Sequence, residues 1–147
     1  MPIRRPEGPL EYEAYCSWNG RTGGRVKLQS GVEYDVDMSE EFGGAGEAPS
    51  PDEFFIASVS GCILTTALWF AEKLGVKLSG LAVRAKSRVE LVGGGFQITK
   101  LWITLRIAGP SRETCEKLAE LAERYCHLAR TLRDCVDIEF RVEISKS

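Results

Sequence analysis

Eighteen consecutive residues, Phe54 to Ala71, carry no charge, and any fold for this chain has to place that segment. Ser50-Pro51-Asp52-Glu53 precedes it: a side-chain cap, a first-turn proline and two acids where a helix N-terminus favours negative charge. Lys73 and Gly75 follow it, a cationic last turn and a C′ glycine. The segment is therefore a helix. Apolar side chains fall on every side of it, from Phe54, Phe55 and Ile56 to Leu68, Trp69 and Phe70. Such a helix is buried in a core or crosses a membrane. A span needs about 17–25 apolar residues. This run is broken by Ser58, Ser60, Gly61, Thr65 and Thr66, and no second such run exists. The expectation is a central helix wrapped by sheet, with no membrane partner. Near its middle lies Cys62.

The 147 residues suggest a single domain over residues 1–147, with residues 1–9 as a flexible arm. Net charge is −2 with acids and bases interspersed, so no basic field invites nucleic acid. Arg4 and Arg5 are followed by no apolar stretch, and no secretory signal is expected. The cysteines are Cys16, Cys62, Cys115, Cys126 and Cys135, an odd number with no CxxC pair. That argues for reduced thiols and a cytoplasmic setting. The lone His127 leaves no scope for a Ser-His-Asp triad, and its place beside Cys126 is poor zinc-ligand spacing. No metal and no bound cofactor are expected.

Leu10–Trp18 and Arg25–Gln29 read as strands, and Val32–Met38 alternates most clearly. Asn19-Gly20 and Ser30-Gly31 mark the turns between them. Val32, Tyr34, Val36 and Met38 are expected to face inward. Gly43-Gly44-Ala45-Gly46 is a loop whose glycines let backbone pass close to something; it lacks the lysine of a phosphate cradle. After the long helix, Val76–Val92 and Phe96–Ile107 form a hairpin about Gly93-Gly94-Gly95. Pro110-Ser111 opens a second helix with Cys115, Leu118, Ala122 and Cys126 on one face. Val136–Ile144 alternates as a closing strand. The order βββ-α-ββ-α-β indicates an α+β fold of antiparallel sheets around a buried helix.

A single cysteine most often packs as a small hydrophobe. Cys16, Cys115 and Cys135 are read that way, and spacing alone gives Cys62 and Cys126 the same reading. Their local sequences say more. The loop GGAGEAPSP, then PSPDEFF and ASVSGC around Cys62, and Tyr125-Cys126-His127-Leu128-Ala129-Arg130-Thr131-Leu132 resemble the OsmC/Ohr family of thiol-dependent peroxidases. The resemblance covers nearly the whole chain and is nearest the less characterised OsmC-like branch. It implies an OsmC-like fold and an intertwined homodimer whose central helices pack together, with the active site at the interface. It implies that Cys62 is the peroxidatic cysteine and Cys126 the resolving one. The family's helix-start glutamate falls on Asp52, with Glu53 beside it. The family's catalytic arginine matches Arg25 or Arg21; Arg25 is preferred because it begins a strand. Proline and serine usually follow the second cysteine, where this chain has His127 and Ala129.

Physical chemistry fits these roles. A peroxidatic cysteine acts as thiolate, and apolar burial alone opposes that form. Cys62 lies too deep in its helix for the dipole, which fades within the first turn. An arginine must reach it, oriented by Asp52 or Glu53. Phe54, Phe55, Ile56 and Trp69 would line a site for an organic hydroperoxide, and an external dithiol, a lipoyl protein or small thiol, would restore the enzyme. The alternative is a weakly catalytic binding or redox-sensing protein on the same fold.

Overall fold

The computed structural model describes residues 3–146. Met1 and Pro2 of the expected arm lie outside the described residues, and residues 3–13 form no helix or strand. The chain divides into two compact units, Arg4–Phe55 and the residues from Ile56 onward, with the boundary inside the long helix.

In the first unit, β1 (Ala14–Trp18), β2 (Gly23–Leu28) and β3 (Glu33–Asp37) form an antiparallel sheet in the order β1-β2-β3. Gly20 and Gly31, at the two turns, both take positive φ. The alternation of β3 holds for Tyr34 and Val36, which are half-buried. Val32 and Met38 instead are exposed, at 57% and 46%. The strand ends at Asp37, and Asp37 itself is buried. Its carboxylate accepts hydrogen bonds from Thr22 Oγ1 at 2.6 Å and the Glu47 N–H at 2.9 Å. Its own N–H reaches the Pro49 carbonyl at 3.1 Å. The polar network, not apolar parity, decides what is inside at this end. The glycine loop passes close to backbone as its composition suggests: a Cβ on Gly44 would lie 1.7 Å from the Met38 carbonyl oxygen. Ser50 and Glu53 then make a reciprocal capping box, Ser50 N–H to Glu53 Oε2 at 2.9 Å and Glu53 N–H to Ser50 Oγ at 3.4 Å.

That cap starts α1 (Pro51–Lys73). In the second unit β4 (Gly80–Val92) and β5 (Gly95–Gly109) form a long hairpin. Its two-residue turn, Gly93-Gly94, has positive φ at both positions, as a type I′ turn requires. The single helix expected after Pro110 is two, α2 (Arg112–Tyr125) and α3 (His127–Leu132). Ser111 caps α2 by accepting the Thr114 N–H at 3.1 Å. Strand β6 (Asp137–Lys146) then pairs with β5 in parallel, giving the order β4-β5-β6. This corrects the expectation of purely antiparallel sheets. The helical connection between β5 and β6 supplies the length that a parallel crossover needs.

The core of this unit sets Leu101, Ile103, Leu105 and Ile107 of β5 together with Val59, Ile63, Ala67 and Ala71 of α1 and Cys115, Leu118 and Ala122 of α2. All-round burial of α1 is not observed. Its buried residues form one stripe at steps of four, while Ala57, Gly61, Thr65 and Leu68 are exposed on another. The helix is long and apolar enough to cross a membrane by length and composition, yet its buried stripe belongs to a protein core. Ile63→Ala is expected to cost about 2–5 kcal/mol in chemical denaturation. Gly44→Ala is expected to destabilise the chain too, because its Cβ cannot coexist with the Met38 carbonyl.

Candidate functional site

The site is built on one sulfur–sulfur approach. Cys62 lies on α1 at the edge between the buried stripe and the exposed one, and is half-buried. Cys126 is fully buried, at 0% exposure. Cys62 is near enough to Cys126 to raise the proton affinity of its thiol, and both are free thiols.

Cys126 owes its position to the break between α2 and α3. Its φ of −59° and ψ of 123° are extended rather than helical. Its N–H still donates to the Ala122 carbonyl at 3.0 Å, and its carbonyl accepts the Arg130 N–H at 2.9 Å. Cys126 thus keeps both of its own backbone bonds across the break, and the kink falls on the cysteine. The backbone N–H groups of Ala129 and Leu128 favour the thiolate form of Cys126.

Burial pushes the Cys126 thiol up to about 11, and the neighbouring Cys62 side chain adds to the rise. The two amides pull the other way without overcoming it. Cys126 is therefore a protonated thiol at neutral pH, able to donate its S–H toward the Cys62 sulfur. Cys115, also fully buried, is raised by burial alone. It packs under Gly109, where a Cβ would meet its sulfur at 2.9 Å, and is the small hydrophobe expected.

Aromatic residues of α1 have ring partners. Phe70 sits against Tyr125 at 5.4 Å between centroids, and Trp69 meets Phe70 edge-on at 4.9 Å. Lys73 lies over the Trp69 ring at 5.7 Å. Phe55 and Ile56 are half-buried on α1, and Phe54 packs on Tyr34 at 4.3 Å in the first unit. Among the described residues, no three His, Cys, Asp or Glu side chains come together as a metal-ligand set.

The arginines have carboxylates other than the ones expected. Arg21 pairs with Glu47 at 2.8 Å, and Arg25 with Asp35 at 3.1 Å. Glu53 is held in the capping box and Asp52 is exposed on the first turn of α1. The Arg25–Asp35 pair follows from register, since the two residues face each other across β2 and β3, and the Ser30-Gly31 turn could have indicated it. Glu47 comes from an irregular loop, where sequence gives no register. Thr22, which fixes Asp37, was missed for the same reason.

The family model for OsmC-like protein matches residues 44–141 of this chain. The chain belongs to the OsmC-like protein family. The matched region holds both cysteines of the thiol pair. Among curated relatives of this OsmC-like chain is organic hydroperoxide resistance protein-like 2 of Staphylococcus saprophyticus, 27% identical over 139 residues, covering 91% of this chain and 96% of the relative. Among solved structures, an organic hydroperoxide resistance protein from Elizabethkingia anophelis superposes with a TM-score of 0.80 at 23% identity, covering 95% of this chain and all of that one. One from Legionella pneumophila gives 0.77 at 21% identity, over 93% and 99% of the two chains. The α+β fold is thus an OsmC/Ohr fold. In this OsmC-like chain the departures after the second cysteine have definite places: His127 opens α3 exposed, and Ala129 is buried, its N–H favouring the Cys126 thiolate.

A raised thiol pKa has a signed consequence. The folded state binds the Cys126 proton more tightly than the unfolded chain. The stability it contributes is fully present below about pH 9 and is lost as pH rises through about 11. Urea denaturation across that window should show a loss on the order of 2 kcal/mol. Cys126→Ala should flatten most of the slope, leaving the part due to Cys115.

Proposed function

We propose that the chain is a thiol-dependent peroxidase that reduces organic hydroperoxides, with Cys62 as peroxidatic and Cys126 as resolving cysteine. The observation that carries this is a half-buried thiol neighbouring a fully buried one, on the two motif positions. The Cys62 thiolate attacks the distal peroxide oxygen. The O–O bond breaks, Cys62 becomes a sulfenic acid, and the alkoxide leaves as the alcohol after taking a proton. The Cys126 sulfur then attacks the Cys62 sulfur. Its proton leaves with the sulfenic hydroxyl as water, and a disulfide forms. Closing it brings the two neighbouring sulfurs to the about 2 Å of an S–S bond. An external dithiol, a lipoyl protein or a small thiol, returns both cysteines to thiols and is itself oxidised to a disulfide.

Arg21 and Arg25 are the candidates to stabilise the Cys62 thiolate. Glu47 and Asp35 hold them now, and either pair would have to open or pivot to serve it, with Asp52 free to take part. Trp69, Phe54, Phe55 and Ile56 supply apolar surface, which favours an organic hydroperoxide over hydrogen peroxide. The working form in this proposal is a homodimer in the cytoplasm. Five free thiols support the reducing compartment. The exposed stripe of Ala57, Gly61, Thr65 and Leu68 supports a second copy packing on α1, since Gly61 has open space around it. Cys62 stands at the edge of that stripe, where the second copy would close over it.

The test is loss of cumene hydroperoxide with a dithiol present. The parent should consume it and Cys62→Ser should not; equal consumption by Cys62→Ser would sink the proposal. Cys126→Ser should complete a first turnover and accumulate the Cys62 sulfenic acid. Leu68→Arg should convert a dimer to a monomer in analytical ultracentrifugation and lower the turnover rate with it.

A further inference from the structure

The outward face of the second sheet has no part in the thiol chemistry. It carries Arg84, Lys86 and Arg88 on β4, Lys100, Trp102, Thr104 and Arg106 on β5, and Asp137, Glu139, Arg141 and Glu143 on β6. Register sets Lys86 directly opposite Trp102 and Arg88 opposite Lys100. Three cations crowd one indole ring as a result. Arg88 Cζ lies 4.8 Å from its centroid, Lys100 Nζ 5.1 Å and Lys86 Nζ 5.2 Å.

The surroundings do not neutralise them all. Lys100 has Asp137 at 3.5 Å, Arg141 has Glu139 at 3.4 Å and Arg106 has Glu143 at 2.7 Å. Among the described residues, Lys86 and Arg88 have no carboxylate within ion-pair reach. Charges on an edge strand also keep sheets from pairing with each other, but that role needs no tryptophan and no convergence. Like charges held around one ring repel, and the ring's quadrupole offsets only part of this. An anion among them would offset the rest. Beside the ring is a 300 Å³ depression lined by Lys86, Trp102, Thr104, Glu139 and Arg141, the lower end of the size range of small-ligand sites.

We propose that this depression binds a small phosphorylated molecule with an aromatic body, of the nucleotide class, through Lys86 and Trp102 of its lining and through Arg88, which lies over the same ring outside the lining. The phosphate lies against the two unpaired cations. The aromatic body lies along the exposed part of the Trp102 ring, and the Glu139 carboxylate accepts from a hydroxyl or amino group. The acids of β6 confine the positive field to the β4–β5 side. A long polyanion crossing the sheet would meet Asp137, Glu139 and Glu143, which selects a small ligand over a nucleic-acid strand.

Isothermal titration calorimetry of the whole protein with AMP, adenosine, inorganic phosphate and a short oligothymidylate tests this. AMP should bind saturably and weaken as salt rises. The double variant Lys86→Gln, Arg88→Gln should lose about tenfold or more in affinity with an unchanged circular dichroism spectrum. Trp102→Leu should weaken AMP and leave phosphate unchanged. Saturable AMP binding at one site with those losses supports the assignment. No AMP binding overturns it, as does equal binding by the double variant. Adenosine binding as tightly as AMP removes the anion contribution and overturns it; phosphate binding as tightly as AMP removes the ring contribution and does the same. Tighter binding of the oligonucleotide than of AMP overturns the choice of a small ligand.

Discussion

The nearness of Cys62 to Cys126 is the constraint on which the candidate site depends. It requires a cysteine on α1 at the edge of the buried stripe and a second in extended backbone at the α2–α3 break. The break is where helical geometry gives way. Cys126 itself keeps both of its backbone bonds across the break: its N–H donates to the Ala122 carbonyl and its carbonyl accepts the Arg130 N–H. A continuous helix would carry its residue 126 on the same face but would leave no free amides to favour its thiolate. The kink supplies them from Leu128 and Ala129.

The burial of the pair is asymmetric, and the asymmetry suits a division of roles. Cys126 has no exposure and keeps its proton. Cys62 is half-exposed and open to a small molecule from outside. A buried thiol that holds its proton stays clear of incidental oxidants, and it becomes a nucleophile only when a sulfenic hydroxyl beside it can carry that proton away as water. Arg21 and Arg25 are tied to Glu47 and Asp35 within the first unit. In the proposed mechanism, then, apolar packing and proton affinity set the resolving thiol, and a mobile ion pair sets the peroxidatic one.

Much of this was legible in the sequence where local chemistry decides the outcome. Ser50 and Glu53 specify the start of α1, Gly93-Gly94 specifies the hairpin, and the step from Cys115 to Leu118, Ala122 and Cys126 specifies the buried face of α2. Legibility failed where a nonlocal partner decides. Asp37 is inside, and Met38 outside, because Thr22 and Glu47 converge on one carboxylate. The parallel entry of β6 cannot be read from its own alternation, which is the same in either direction. The exposed face of α1 has the composition of a core, so sequence alone could not separate its buried stripe from its open one. Both cysteines were found through their surrounding motifs, not through their spacing, and the ion pairs of the two arginines were found only in the structure.

The most direct test of the central claim is the covalent state of the two cysteines after one equivalent of an organic hydroperoxide with no reductant present. Peptide mass mapping of the oxidised protein should recover a Cys62–Cys126 linked pair with two hydrogens lost, and Cys16, Cys115 and Cys135 as thiols. Recovery of Cys62 unoxidised, or of Cys62 joined to any cysteine other than Cys126, would contradict the account.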